Sequence, residues 1–159
     1  MEIERKWLLK CFPNTLELLE EVEVSQGYLS TEETEVRIRE YTHTDTNHID
    51  YLLTVKGSGD IERPEAEEYV SKSFFEEVVE IIGKPLIHKD FRKYRLPDGR
   101  VLEVCHVDAG TKHEFHYAEI EFDNIEEAES YQLEIPEIIE DITYNKHYKM
   151  KNYWRRTRG

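Results

Sequence analysis

Apolar and polar residues alternate with a period of two near residues 2–10, 22–30, 35–42, 48–57, 63–71, 86–96, 100–107 and 116–123. A period of two is that of a pleated strand whose two faces meet different surroundings, so the pattern predicts eight strands. Turn chemistry separates several of them: Gly57-Ser58-Gly59-Asp60, Pro97-Asp98-Gly99, Asp108-Ala109-Gly110 and the polar stretch from Thr42 to Asn47. Successive hairpins imply mostly antiparallel pairing, and eight such strands can close into a barrel. The interior would be wide enough for side chains or one narrow ligand.

Helical signals are fewer. Ser73-Phe74-Phe75-Glu76 reads as a capping box opening a helix over 74–82, with Gly83 as terminator and Pro85 beyond it. A short helix is predicted after an Asn124 cap to residue 131, a third over 145–155, and a helical turn or short helix over 13–21. No repeat, low-complexity tract or linker divides the chain, so the expectation is one domain over residues 1–159. Its class is mainly β (α+β): a closed eight-stranded antiparallel barrel with a few flanking helices.

The polar faces change this picture, because their charges are segregated. Glu2, Glu4 and Lys6 share one face of the first strand; Arg37 and Arg39 flank Ile38; Lys56 follows Val55. Arg63, Glu65 and Glu67 alternate along the fifth strand, and Glu119 and Glu121 flank Ile120. A solvated face has no reason to repeat this parity in strand after strand. Residues two apart on a strand lie about 6–7 Å from each other. Each Glu-x-Glu pair therefore repels itself unless a cation is shared, and all-oxygen donors suit Mg²⁺ or Mn²⁺ better than zinc. Arginine forks and lysine point charges at several heights, including Lys93 and Arg95, suit a chain of phosphates, and a triphosphate fits.

The net charge of −14 argues against non-specific binding to nucleic acid or anionic lipid, so polyanion recognition must be local. No apolar run reaches the length of a membrane span. The chain opens on Glu2 and Glu4 instead of a basic and then apolar leader, which suggests a cytoplasmic setting. Cys11 and Cys105 make neither a disulfide framework nor a zinc site.

The motif E-I-E-R-K at Glu2 to Lys6 resembles the E-x-E-x-K signature of CYTH domains, the triphosphate tunnel metalloenzymes. Q-G-Y-L-S from Gln26, V-R-I-R from Val36, L-T-V-K-G from Leu53, R-P-E-A-E from Arg63 and A-E-I-E-F from Ala118 follow in that family's order over nearly the whole chain. The resemblance implies an eight-stranded tunnel that hydrolyses inorganic triphosphate or a related organic triphosphate. Thiamine triphosphatase and class IV adenylyl cyclase activities are family alternatives, and a non-catalytic polyphosphate- or nucleotide-binding module is a third. Carried over by position, Glu2, Glu4, Glu119 and Glu121 are metal ligands, with Glu103 on strand seven beside them. Lys6, Arg37, Arg39, Lys56 and Arg63 are phosphate ligands, with a general base as the alternative role for Lys6, and Glu65 and Glu67 orient them or a second metal. The family's basic pair before the Pro97 turn aligns with Lys93 and Arg95, or with a register that uses Arg92, and its C-terminal basic pair aligns with Lys146 and His147. Cys105 stands where the family has an aspartate.

Other residues have plainer readings. His113 and His116 lack partners for a zinc site, Trp7 and Trp154 suit packing, and the basic tail from Lys146 to Arg158 suits a helix end or, alternatively, a cap on the tunnel. Tyr148 and Tyr153 are compatible with the surface of a homodimer.

Overall fold

The alternation does produce strands, but the apolar face they bury is the outer one. The computed structural model describes residues 1–159. Its strands are β1 (Glu2–Leu9), β2 (Glu17–Thr31), β3 (Glu35–His43), β4 (Ile49–Lys56), β5 (Glu62–Arg63), β6 (Glu65–Tyr69), β7 (Ile87–Arg95), β8 (Val101–Val107), β9 (Phe115–Glu121) and β10 (Ile138–Asp141). Its helices are α1 (Lys72–Ile82), α2 (Ile125–Ser130) and α3 (Met150–Arg158), with a 3-10 turn at Lys146–Tyr148. Pairing is antiparallel throughout, in the order β10-β1-β9-β8-β7-β2-β3-β4-β6. β5 returns the far side of the sheet to β1, setting Glu2 opposite Arg63, so the sheet rolls into a nearly closed barrel.

Three apolar clusters coat the barrel. Trp7 and Leu9 of β1 pack with Tyr94, Leu102, Val104, Ala118 and Ile120 beneath Ala128 of α2. Ile38 of β3 is covered by Phe75 and Val78 of α1. Met150, Tyr153 and Trp154 of α3 pack on Tyr28, Ile87, Val107, Tyr117 and Ile142, and in this cluster Tyr28, Tyr117, Ile142 and Met150 also border the interior. Each large apolar side chain so buried contributes about 1.5–3 kcal/mol, so packing on the outer face supports a barrel whose interior gathers charge beside a smaller apolar lining. Gly27 permits the close approach of the α1–β7 connection, since a Cβ there would lie 2.8 Å from Leu86 Cδ2.

Several boundaries differ from expectation for identifiable reasons. Residues 13–21 are not helical: 13–16 are irregular and β2 starts at Glu17, where pairing with β7 sets Glu17 opposite Arg95 at 3.2 Å, and pairing overrides local propensity. Ser71, not Ser73, caps α1, its hydroxyl accepting from the Phe74 N–H at 3.1 Å. Gly83 ends that helix as expected, at φ 64°, with its N–H on the Val79 carbonyl. Pro64 lacks an N–H for the ladder and divides the predicted fifth strand into β5, which pairs with β1, and β6, which pairs with β4. The Asn124 cap forms, its side chain accepting from the Glu127 N–H at 2.8 Å. The third helix begins as a 3-10 turn capped by Asn145, then runs as α3 to Arg158. Tyr153 is 1% exposed and donates to Asp108, so it offers nothing to a dimer surface. β10, four residues long, was too short for its alternation to register.

Candidate active site

The inward faces enclose a cavity of about 460 Å³. Into it β1 projects Glu2, Glu4 and Lys6, β3 projects Arg37 and Arg39, and β4 projects Lys56. Arg63 enters from β5, Glu65 and Glu67 from β6, Lys93 from β7, Glu103 from β8, and Glu119 and Glu121 from β9. Two expected residues do not line it. Arg95 stands exposed at the end of β7, paired with Glu17, and Lys146 is exposed on the 3-10 turn. Arg92 also points outward, over the Phe12 ring at 3.9 Å.

Strand register sets the charges against one another. Lys6 lies opposite Glu119, Glu119 opposite Glu103, Glu103 opposite Lys93, and Lys93 opposite Glu20, a ladder across five strands. Glu4 faces Glu121, and Lys56 lies between Glu35 and Glu65. Lys56 Nζ donates to both Glu2 oxygens, at 2.8 and 3.2 Å, and sits 3.7 Å from Glu65. Arg63 sits 3.5 Å from Glu35, and Arg39 donates to Glu67 at 2.9 Å.

The carboxyls do not behave alike. Burial alone would raise Glu2, but the contact with Glu65 and the Lys56 ammonium outweigh it and hold Glu2 down at about 2. Glu65 is pushed up to about 7 by burial and by Glu2. Burial, then the neighbouring Glu119 and Glu2, raise Glu4 well above the usual carboxylate range. Glu119, equally enclosed, is held low by Lys6 and its contact with Glu4. Burial and the charges of Glu119 and Glu121 push Glu103 up to about 7. This is a carboxylate-rich cavity short of positive charge.

The donor set bears on whether a divalent cation fits. Oxygens of Glu2, Glu4 and Glu121 lie within 4.8 Å of one another. Glu65 Oε2 is buried with no hydrogen-bond partner. Hard, anionic oxygens converging where like charges repel suit Mg²⁺ or Mn²⁺. Glu103 and Glu119 stand outside that three-carboxylate cluster.

Sequence reasoning missed three cavity cations or their partners. Lys89 shares the parity of Lys93 and Glu35 that of Arg37, so extending each alternation by two or four residues would have found them. Lys149, which donates to the Gly59 carbonyl at 2.9 Å and pairs with Asp60 at 3.1 Å, carried no periodic signal because it precedes α3 in irregular chain. Cys105 does face the cavity, 2% exposed, with its thiol pushed up to about 11 by burial. Tyr148 also lines the cavity and is half-buried. Of the histidines, His113 is exposed, whereas His116 stacks on His106 at 3.9 Å on the outer face.

No protein-family model matches the chain. A curated inorganic triphosphatase of Nitrosomonas europaea is 31% identical over 152 residues, 94% of each chain. A crystal structure of an inorganic triphosphatase superposes with a TM-score of 0.66 at 29% identity, covering 96% of this chain and 93% of that one. A Hippeastrum protein, described as an adenylyl cyclase candidate with a dominant triphosphatase activity, shares the fold at 19% identity. Its TM-score is 0.53, covering 81% of this chain and 83% of that one.

Proposed function

The chain belongs to the CYTH family of triphosphate tunnel enzymes, and from that premise we propose that it hydrolyses inorganic triphosphate to diphosphate and phosphate with Mg²⁺ or Mn²⁺. One observation carries the reading: cations and carboxylates of thirteen predicted positions converge on one cavity inside the barrel. Enclosed charge is costly unless matched, and the carboxylates that Lys56 and the arginines leave uncompensated favour a cation together with a polyanion in this interior. Lys6, Arg37, Lys56, Arg63 and Lys89 supply that match for phosphoryl oxygens, and Arg39 and Lys93 extend it along the barrel.

Glu2, Glu4 and Glu121 would hold the metal, which would neutralise charge developing on the transferred phosphoryl group. Glu119, kept ionised beside Lys6, is the base available to orient a water for in-line attack. Lys6 is a phosphate donor in this scheme and not the base. No helix of the chain is long and apolar enough to cross a membrane. A cytoplasmic setting and a chain that works without nucleic acid complete the proposal. Apolar Val22, Val24, Leu52 and Phe91 line part of the same cavity, which favours tolerance of an organic substituent on the triphosphate.

Purified protein incubated with tripolyphosphate, ATP or thiamine triphosphate and either metal tests this. Orthophosphate released fastest from tripolyphosphate supports the proposal. Cyclic AMP with pyrophosphate would favour the cyclase reading, and binding without turnover the non-catalytic one.

A further inference from the structure

Nearly every cation lining the cavity has a carboxylate within 4.0 Å. Arg37 and Arg63 have Glu35, Arg39 has Glu67, Lys56 has Glu2, Lys93 has Glu20 and Lys149 has Asp60. Lys6 and Lys89 have none, although both are enclosed. What they share is one side chain. Lys6 Nζ lies 4.1 Å from the centroid of the Tyr117 ring, and Lys89 Nζ lies 5.3 Å from it while donating to the Tyr117 hydroxyl at 2.7 Å. Tyr117 itself is 2% exposed on β9, fixed in the cluster that α3 closes.

The difference matters chemically. A lysine locked to a carboxylate must break that pair to meet an anion. A lysine resting on a ring is held by the π-face and keeps most of its N–H donors free. Lys6 spends one donor on the Tyr148 carbonyl at 2.8 Å and Lys89 spends one on Tyr117. Each retains two.

We propose that Tyr117 is a positioning residue: it holds Lys6 and Lys89 on a single ring as a preformed anion subsite for one phosphoryl group of the triphosphate. This rests on the triphosphate reading. Tyr117 itself does not touch the reacting atoms. It sets the spacing and direction of two amino groups that no carboxylate holds within 4.0 Å, Glu119 acting on Lys6 only from farther off.

The test is a set of variants read by calorimetric titration of tripolyphosphate and by steady-state hydrolysis. Tyr117→Phe keeps the ring under Lys6 and removes the hydroxyl from Lys89, and should weaken binding about three- to tenfold with the effect falling on KM more than kcat. Tyr117→Leu removes both supports and should weaken it about thirtyfold or more. Because the hydroxyl acts through Lys89, Lys89→Met combined with Tyr117→Phe should bind no more weakly than Lys89→Met alone. A Tyr117→Phe protein with parental affinity, or additive losses in the double variant, would overturn the proposal. Binding without turnover in the parent protein would sink the hydrolase reading while leaving the Tyr117 comparison readable. Absence of binding in the parent would overturn both.

Discussion

Replacing Lys56 by Met asks directly whether the interior is held by opposed charge. Lys56 is 5% exposed and donates to Glu2 at 2.8 Å, with Glu65 at 3.7 Å. Met fills a similar volume but leaves Glu2, Glu4 and Glu65 facing one another without that cation. Glu2 falls from 4.5 to about 2 on folding, which corresponds to about 3 kcal/mol of stability at neutral pH. Lys56 acts on Glu2 twice, through its charge and through its hydrogen bonds. The Glu65 contact, the largest influence lowering Glu2, remains in the variant, so the loss should be about 1–2 kcal/mol near pH 7, or about 2–8 °C in Tm for a domain of this size.

The pH dependence follows from the direction of the shift. A carboxyl depressed on folding contributes its stability above about pH 4.5 and loses it as the pH falls toward 2. The gap between parent and variant should thus be full at neutral pH and shrink steadily below pH 4.5. Added Mg²⁺, which can replace the missing positive charge among these carboxylates, should restore part of the loss at neutral pH. Urea denaturation at several pH values, with and without Mg²⁺, measures all three. An unchanged midpoint at neutral pH, or a loss that does not vary with pH, would refute the reasoning.

Further outcomes follow from the same geometry. Glu4→Gln should not destabilise the metal-free protein, because it removes a charge that burial, Glu119 and Glu2 all disfavour. It should also abolish stabilisation by added metal and lower metal-dependent turnover about a hundredfold, read by thermal shift and phosphate release. Burial and Glu2 push Glu65 up to about 7, so acidification from about pH 8 to about pH 6 removes negative charge beside the Glu2, Glu4 and Glu121 cluster and should raise the metal concentration needed for half-maximal activity. Lys149→Ala should raise KM for tripolyphosphate about tenfold while Lys146→Ala leaves it within about twofold, since only Lys149 faces the cavity. Equal effects of the two would contradict the placement.

Much of this was legible in the chain because a strand period of two is a strong signal when both faces carry different chemistry. Glu2, Glu4 and Lys6 against Trp7 and Leu9 is one such case, and the β9 alternation around Ile120 is another. What escaped depended on tertiary contacts. The β2 start at Glu17 is fixed by pairing with Arg95, the break at Pro64 by the need to leave β1 for β4, and the place of Lys149 by its latch onto Gly59 and Asp60. Arg95 has the inward parity yet ends outside, because parity assigns a face only while the strand still borders the cavity. The pairing of Lys6 and Lys89 through Tyr117 joins β1, β7 and β9, and no local pattern encodes it.

The central claim is that an enclosed field of mixed charge takes a metal-loaded chain of phosphates. Calorimetric titration of tripolyphosphate into the protein, with and without Mg²⁺, tests it most directly. The account predicts one saturable site per chain, tightened by Mg²⁺ and lost in Arg37→Gln. Binding that ignores the metal and survives Arg37→Gln, or no binding at all, would contradict it.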